Sequence, residues 1–91
     1  MVVGMYVIIV YDVNVQRVNK VCQFLRMFLH WVQNSVFEGE LTESELLKVE
    51  YGLKEIIKED EDSVTIYTFP SEKIIERRFL GVRKSEPSYF I

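Results

Sequence analysis

Asp12 is the residue from which chemistry is most readily built. It follows directly on the apolar run Tyr6 to Tyr11, YVIIVY, so its carboxylate stands at the C-terminal end of a strand, where the backbone holds it firmly. Hard divalent ions such as Mg²⁺ take carboxylate oxygens and water, and they need one or two carboxylates beside the phosphates of a substrate. One Asp per chain is too little for that. Two copies related by a dimer axis supply the pair from a single sequence position. The alternative is structural, because an Asp in this place also caps a following helix or closes an Asx-turn. The residues alone leave both readings open.

The second group of chemistry-bearing residues is basic. Arg17, Lys20 and Arg26 fall in the first third of the chain, and Arg77, Arg78, Arg83 and Lys84 in its last portion. Each is a candidate phosphate contact, adding affinity without reading base sequence. No array of interleaved aromatic and basic residues suited to stacking single-stranded bases is present, so a duplex or backbone mode of binding is at least as natural. The formal net charge is −3, whereas nucleic-acid-binding domains are usually basic. The distribution answers this in part. Residues 1–37 carry one acid against three bases, residues 38–62 carry ten acids against three bases, and residues 63–91 carry three acids against five bases. Two basic portions sharing one surface would form a positive patch on an acidic chain, while the plain alternative is a set of solvated faces.

The remaining reactive side chains read as structural. His30 is the only histidine and has neither a metal-ligating set nor a nucleophile at a readable spacing. Cys22 is the only cysteine, which excludes an internal disulfide, and it falls on the apolar stripe of a helix. Ser35 lacks the context of an activated nucleophile such as G-x-S-x-G.

The elements that must position these residues follow from periodicity. The run up to Tyr11 is continuous enough for a central strand covered on at least one side. From Val15 the apolar residues recur at Val15, Val18, Val21 or Cys22, Leu25 and Phe28 or Leu29, the period of an amphipathic helix, with Asn14 as N-cap. Trp31 to Leu41 returns to aromatic and β-branched residues, and Gln33-Asn34-Ser35 turns the chain within it into a short strand pair. Thr42-Glu43-Ser44-Glu45 has the form of a capping box and announces a second helix. Leu46, Leu47, Val49, Leu53, Ile56 and Ile57 give that helix its apolar stripe. After the polar loop Lys58 to Asp62, Ser63 to Phe69 is another strand, ended by Pro70. Lys73 to Arg78 reads as one helical turn. Tyr89-Phe90-Ile91 is too apolar to stand in water and is expected to pair with a sheet edge, that of a partner subunit being one choice. The order strand, helix, strand, strand, helix, strand is the split βαβ pattern of an α+β, ferredoxin-like βαββαβ sandwich with a C-terminal strand extension.

Ninety-one residues, 48% of them hydrophobic, allow one domain and one core, and a chain this short gains from a partner. A second Met at position 5 makes residues 1–4 a mobile extension, with the single domain over residues 5–91. The apolar start is shorter than a membrane span of roughly 20 residues and lacks a basic leader. The expected setting is the cytoplasm, with no membrane partner.

At this point the residues resemble a known family. A terminal strand running into Tyr11-Asp12-Val13, a helix with Lys20-Val21, the string Val32-Gln33-Asn34-Ser35-Val36-Phe37-Glu38-Gly39, and later Asp62-Ser63-Val64-Thr65-Ile66-Tyr67 together resemble the CRISPR-associated Cas-two family over nearly the whole chain from Met5. The Q-x-S-V-F-E-G string beside a strand-end Y-D is much more specific than either piece alone. The resemblance implies a ferredoxin-like homodimer in which Asp12 faces its symmetry mate and binds Mg²⁺. It implies a metal-dependent endoribonuclease or, in some members, DNase, with Asp12 as the catalytic metal residue. It also implies a second role, as a bridge between dimers of the CRISPR integrase that holds duplex DNA during spacer integration and does not require catalysis. The sequence departs from the family pattern at Trp31, where an Arg is common, in Phe28-Leu29-His30, which lacks a frequent Gly, and at Val18, which is basic in some members.

Overall fold

Alternation of side chains along β1 (Gly4–Asp12) decides the architecture. Val7, Ile9 and Tyr11 are buried on one face, and the residues that follow each of them, Ile8, Val10 and Asp12, point to the other. The computed structural model, which describes residues 4–82, covers the first face with two helices, α1 (Val15–Leu25) and α2 (Glu43–Ile56). Between them in sequence come β2 (His30–Gln33) and β3 (Val36–Thr42), and after them β4 (Ser63–Phe69). The sheet order is β2-β3-β1-β4 with every neighbour antiparallel, the expected ferredoxin-like arrangement. β1 lies centrally, with Ile9 opposite Phe37 of β3 and opposite Ile66 of β4.

The core is the layer between sheet and helices. Val7, Ile9 and Tyr11 meet Val18, Val21, Cys22 and Leu25 of α1, Val49 and Leu53 of α2, and Phe37 and Leu41 of β3. Cys22 is therefore a core residue, its Sγ lying 3.0 Å from the Tyr11 hydroxyl. The helix starts are held as their residues require. Asn14 Oδ1 accepts from the Gln16 N–H at 2.9 Å. Thr42 Oγ1 accepts from the Glu45 N–H while Glu45 Oε1 accepts from the Thr42 N–H, a complete capping box. Helices α1 and α2 approach closely at Gly52, where a Cβ would sit 2.1 Å from Phe24 Cζ.

The turn between β2 and β3 places Asn34 at φ +39°, a conformation Asn tolerates better than most residues. A bulge between Trp31 and Gln33 shifts the register of this hairpin. The Tyr11 N–H donates to the Ser35 carbonyl at 3.1 Å, which seats the turn against the last residues of β1.

After Pro70 the chain differs from its sequence reading. The helical turn expected at Lys73 to Arg78 is a short 3₁₀ turn, Glu72–Ile74, started by Ser71. Residues 75–79 then lie over the open sheet face beside Val32, Gln33, Val36 and Glu38. The reason is Arg77, whose guanidinium is bound by Glu38 and draws the segment out of helical register. β1 takes in Gly4, paired with Thr42. Met1, Arg83, Lys84 and the terminal Tyr89-Phe90-Ile91 lie outside the described residues. Among those described, no helix is long and apolar enough to cross a membrane.

Candidate metal and nucleic-acid site

Asp12 ends β1 opposite Ser63 of β4 and is exposed. The cap that was its structural alternative is supplied by Asn14 instead. The Asp12 carboxylate makes no hydrogen bond or ion pair within the described residues, so both its oxygens are available to a ligand. That donor chemistry fits a hard divalent ion. Among the described residues there is no cluster of three or more His, Cys, Asp or Glu, so a single chain contributes one carboxylate and a site of this kind needs a second. Asp12 shares its face of β1 with Ile8 and Val10, and Val10 is 38% exposed there. A second copy packed on this face about a two-fold axis beside Asp12 would bring its own Asp12 to the same place.

The basic candidates separate. Arg17, in the first turn of α1, is only 11% exposed at its side chain and grips Asp62, with Nε 2.6 Å from Oδ2 and Nη2 2.9 Å from Oδ1. The same Nη2 lies 3.1 Å from Glu61 Oε1. The fork of hydrogen bonds from Arg17 holds the Asp62 carboxyl far below the usual carboxylate range, against the opposing effect of burial, and the Arg17 guanidinium is held above its ordinary value chiefly by the same bonds. Lys20 stands exposed farther along α1.

Arg77 belongs to the opposite face of the sheet. It donates to both oxygens of Glu38, which is 4% exposed, and to the Tyr6 hydroxyl at 3.3 Å, with its guanidinium 5.9 Å from the Tyr6 ring centre. Tyr6 in turn donates to Glu38 Oε1 at 2.8 Å. Burial pushes the Glu38 carboxyl up, but the hydrogen bonds from Arg77 and Tyr6 outweigh it and leave the carboxyl below its ordinary value. Burial first, and the bond to Glu38 second, push the Tyr6 hydroxyl up to about 12. Arg78 pairs with Glu76 at the surface, Nη2 to Oε1 2.6 Å. The structure thus gathers Asp12 and Arg17 at one end of β1 and sets Arg77 and Arg78 apart, over β3. His30 sits on β2 opposite Glu38.

Two residues that matter here fall within the strings that carry the resemblance, but nothing in the sequence marks their role. Asp62 is one of four consecutive acids, Glu59 to Asp62, and only its place immediately before a strand marks it out. Glu38 lies within an apolar strand, where a carboxylate that must find a partner is the sole hint.

Comparison with known proteins bears on what this arrangement serves. Residues 5–77 match the family described as CRISPR associated protein Cas2. The chain is 57% identical over 84 residues to the CRISPR-associated endoribonuclease Cas2 2 of Archaeoglobus fulgidus, covering 92% of this chain and 91% of that one. It is 56% identical over 85 residues to the CRISPR-associated endoribonuclease Cas2 of Methanothermobacter thermautotrophicus, covering 93% of each. A crystal structure of a Cas2 protein superposes with a TM-score of 0.83 at 51% identity, over 97% of this chain and 99% of the other. A sheet, a strand-end aspartate and a Q-N-S-V-F-E-G hairpin that first suggested the family are thus joined by close likeness in sequence and in fold, and the chain belongs to the Cas2 family of CRISPR-associated proteins.

Proposed function

We propose that this protein is a metal-dependent endoribonuclease of a CRISPR system, working as a homodimer in the cytoplasm and taking part in spacer integration with the CRISPR integrase. The observation that carries the reading is the Asp12 carboxylate, exposed and unpartnered among the described residues at the end of β1, in a chain more than half identical to proteins named as endoribonucleases. Mg²⁺ held there would supply activated water and charge stabilisation at a phosphodiester. The chain's own residues do the rest. Asp12 from each of two copies binds the cation, and Lys20, exposed on α1, offers a phosphate contact that tracks the nucleic-acid backbone. Arg17, Arg77 and Arg78 reach phosphate only by sharing or leaving their carboxylate partners, so their contribution is the smaller one.

A second reading is a non-catalytic homodimeric scaffold that bridges integrase dimers and binds duplex DNA. It is favoured by the engagement of Arg17 with Asp62 and Glu61, which leaves Asp12 without a free arginine from its own first helical turn. One paired assay separates the two. Wild type and Asp12→Ala are compared for RNA and DNA cleavage with and without Mg²⁺, and for integration with the cognate integrase. Cleavage that needs Mg²⁺ and falls to background in Asp12→Ala is the expected result. Integration that requires the protein but not Asp12, with no cleavage by either form, would replace the enzyme by the scaffold.

A further inference from the structure

The carboxylate of Asp62 is wholly withdrawn from solvent and accepts four hydrogen bonds. Oδ1 accepts from the Asn14 N–H at 2.9 Å and from Arg17 Nη2 at 2.9 Å. Oδ2 accepts from Arg17 Nε at 2.6 Å and from the Lys58 N–H at 2.9 Å. All the lone-pair directions of an ionised carboxylate are used. A buried carboxylate needs its remaining lone pairs satisfied whatever its role, so what distinguishes this one is where the further donors come from. Here two of the donors are backbone N–H groups, one from the loop that follows Asp12 and one from the exit of α2. Asp62 also directly precedes Ser63, the ladder partner of Asp12. The end of β1 is therefore bracketed, by Ser63 across the ladder and by Asn14 along the chain, and both brackets converge on one side chain.

We infer that Asp62 is a positioning residue for Asp12: together with Arg17 it fixes the direction in which the end of β1 presents its carboxylate, and so the affinity with which that strand end takes a divalent cation. The inference rests on the reading of Asp12 as the metal residue. Asp62→Asn tests it with little change of volume, because the amide NH₂ must face two of the four donors and releases either the Asn14 side or the Lys58 side of the clamp. Arg17→Lys keeps the charge but loses the two-pronged geometry.

The experiment uses the full chain as wild type, Asp62→Asn, Asp12→Asn and the double variant. Mn²⁺ binding is followed by the paramagnetic resonance of the free ion, and hydrogen exchange is measured at the Asn14 and Val7 amides. Asp62→Asn is expected to weaken Mn²⁺ binding about 10-fold, the lower end of what loss of an outer partner costs a metal site. It should speed exchange at Asn14 and leave Val7 in the β1 ladder unchanged. In the Asp12→Asn background the same change should cost no further Mn²⁺ affinity, which ties the loss to Asp12, while unchanged exchange at Val7 separates it from a general loosening of the fold. Wild-type Mn²⁺ affinity in Asp62→Asn, with Asp12→Asn weakened, would overturn this inference alone. Equal Mn²⁺ affinity of wild type and Asp12→Asn would overturn the metal reading and this inference with it. Should Asp62→Asn not fold, Arg17→Lys is expected to show the same direction of change at smaller size, and its wild-type Mn²⁺ affinity would overturn the inference in turn.

Discussion

At the scale of single residues, the cluster of buried Tyr6 and Glu38 with the partly exposed Arg77 makes stability depend on pH in a way that can be signed. Glu38 and Asp62 both have carboxyls held below their ordinary values. Each therefore contributes stability that is present above the unfolded carboxylate pKa, about 4, and is lost as pH falls below it. Tyr6 is pushed up to about 12 by burial and by its bond to Glu38, and Tyr11 is raised as well, by burial and by Cys22. For these hydroxyls the stabilising contribution is whole below the unfolded Tyr pKa of about 10 and is lost as pH rises through the folded value. Melting temperature should thus be level between about pH 5 and pH 9 and fall on either side. Tyr6→Phe removes the Tyr6 share of the alkaline fall while Tyr11 retains its own. Thermal melts at closely spaced pH would show this as a shallower alkaline limb, and an unchanged limb would mean that neither burial nor Glu38 raises the Tyr6 hydroxyl.

Among the elements, the contact between α1 and α2 is the most demanding. Replacing Gly52 by Ala gains about 1 kcal/mol of helix propensity. It also drives a methyl group into the Phe24 ring, which lies 2.1 Å from the new atom and is itself packed against Phe28, the rings tilted by 59° with centres 5.4 Å apart. Overpacking of this kind costs roughly 1 to 3 kcal/mol. Gly52→Ala is expected to be destabilising in urea unfolding, and to become stabilising once Phe24→Leu has made room. Thr42→Ala removes the hydroxyl half of the capping box and should cost about 1 kcal/mol, read in the same assay. These elements were legible in the sequence because their causes are local. The 3.6-residue period of Val18, Val21, Cys22 and Leu25, the Thr42 to Glu45 box and the Asn34 turn each lie within a few residues of one another. What stayed hidden joins distant positions. Arg17 reads as a free phosphate ligand until the fold brings Asp62 to it from 45 residues away, and Arg77 reads so until Glu38 takes it from 39 residues away. No local pattern encodes either partner, and so Asp12 was found from its strand while the clamp that holds its loop was not.

For the whole molecule, the two faces of the sheet are unequally covered. Helices close one face, and the segment after Pro70 closes the β2–β3 half of the other through Arg77, Ile75 and Phe79. The β1–β4 half keeps apolar surface in water, with Val10 38% and Tyr67 51% exposed, and Tyr67 stands opposite Ile8 in the ladder. Contiguous apolar surface of this kind calls for a partner. A second copy of the chain fits best, because Asp12 lies on the same face and an isologous contact would bring the two carboxylates together at the axis. Two bare carboxylates at close range repel, which makes a shared divalent cation the natural bridge. Tyr67→Glu adds one further carboxylate from each chain to this face without touching the core of either helix. It should shift the protein from dimer toward monomer in a sedimentation series over concentration, with Mg²⁺ strengthening the wild-type dimer and failing to do so for Asp12→Asn. On the function proposed above, metal-dependent cleavage by Tyr67→Glu should then rise with the square of protein concentration where the monomer dominates, because the proposed site is complete only in the pair. A Tyr67→Glu protein that sediments as the wild type does would place the dimer contact elsewhere on the surface, and Asp12 would then have to meet its cation with the phosphates of the nucleic acid alone.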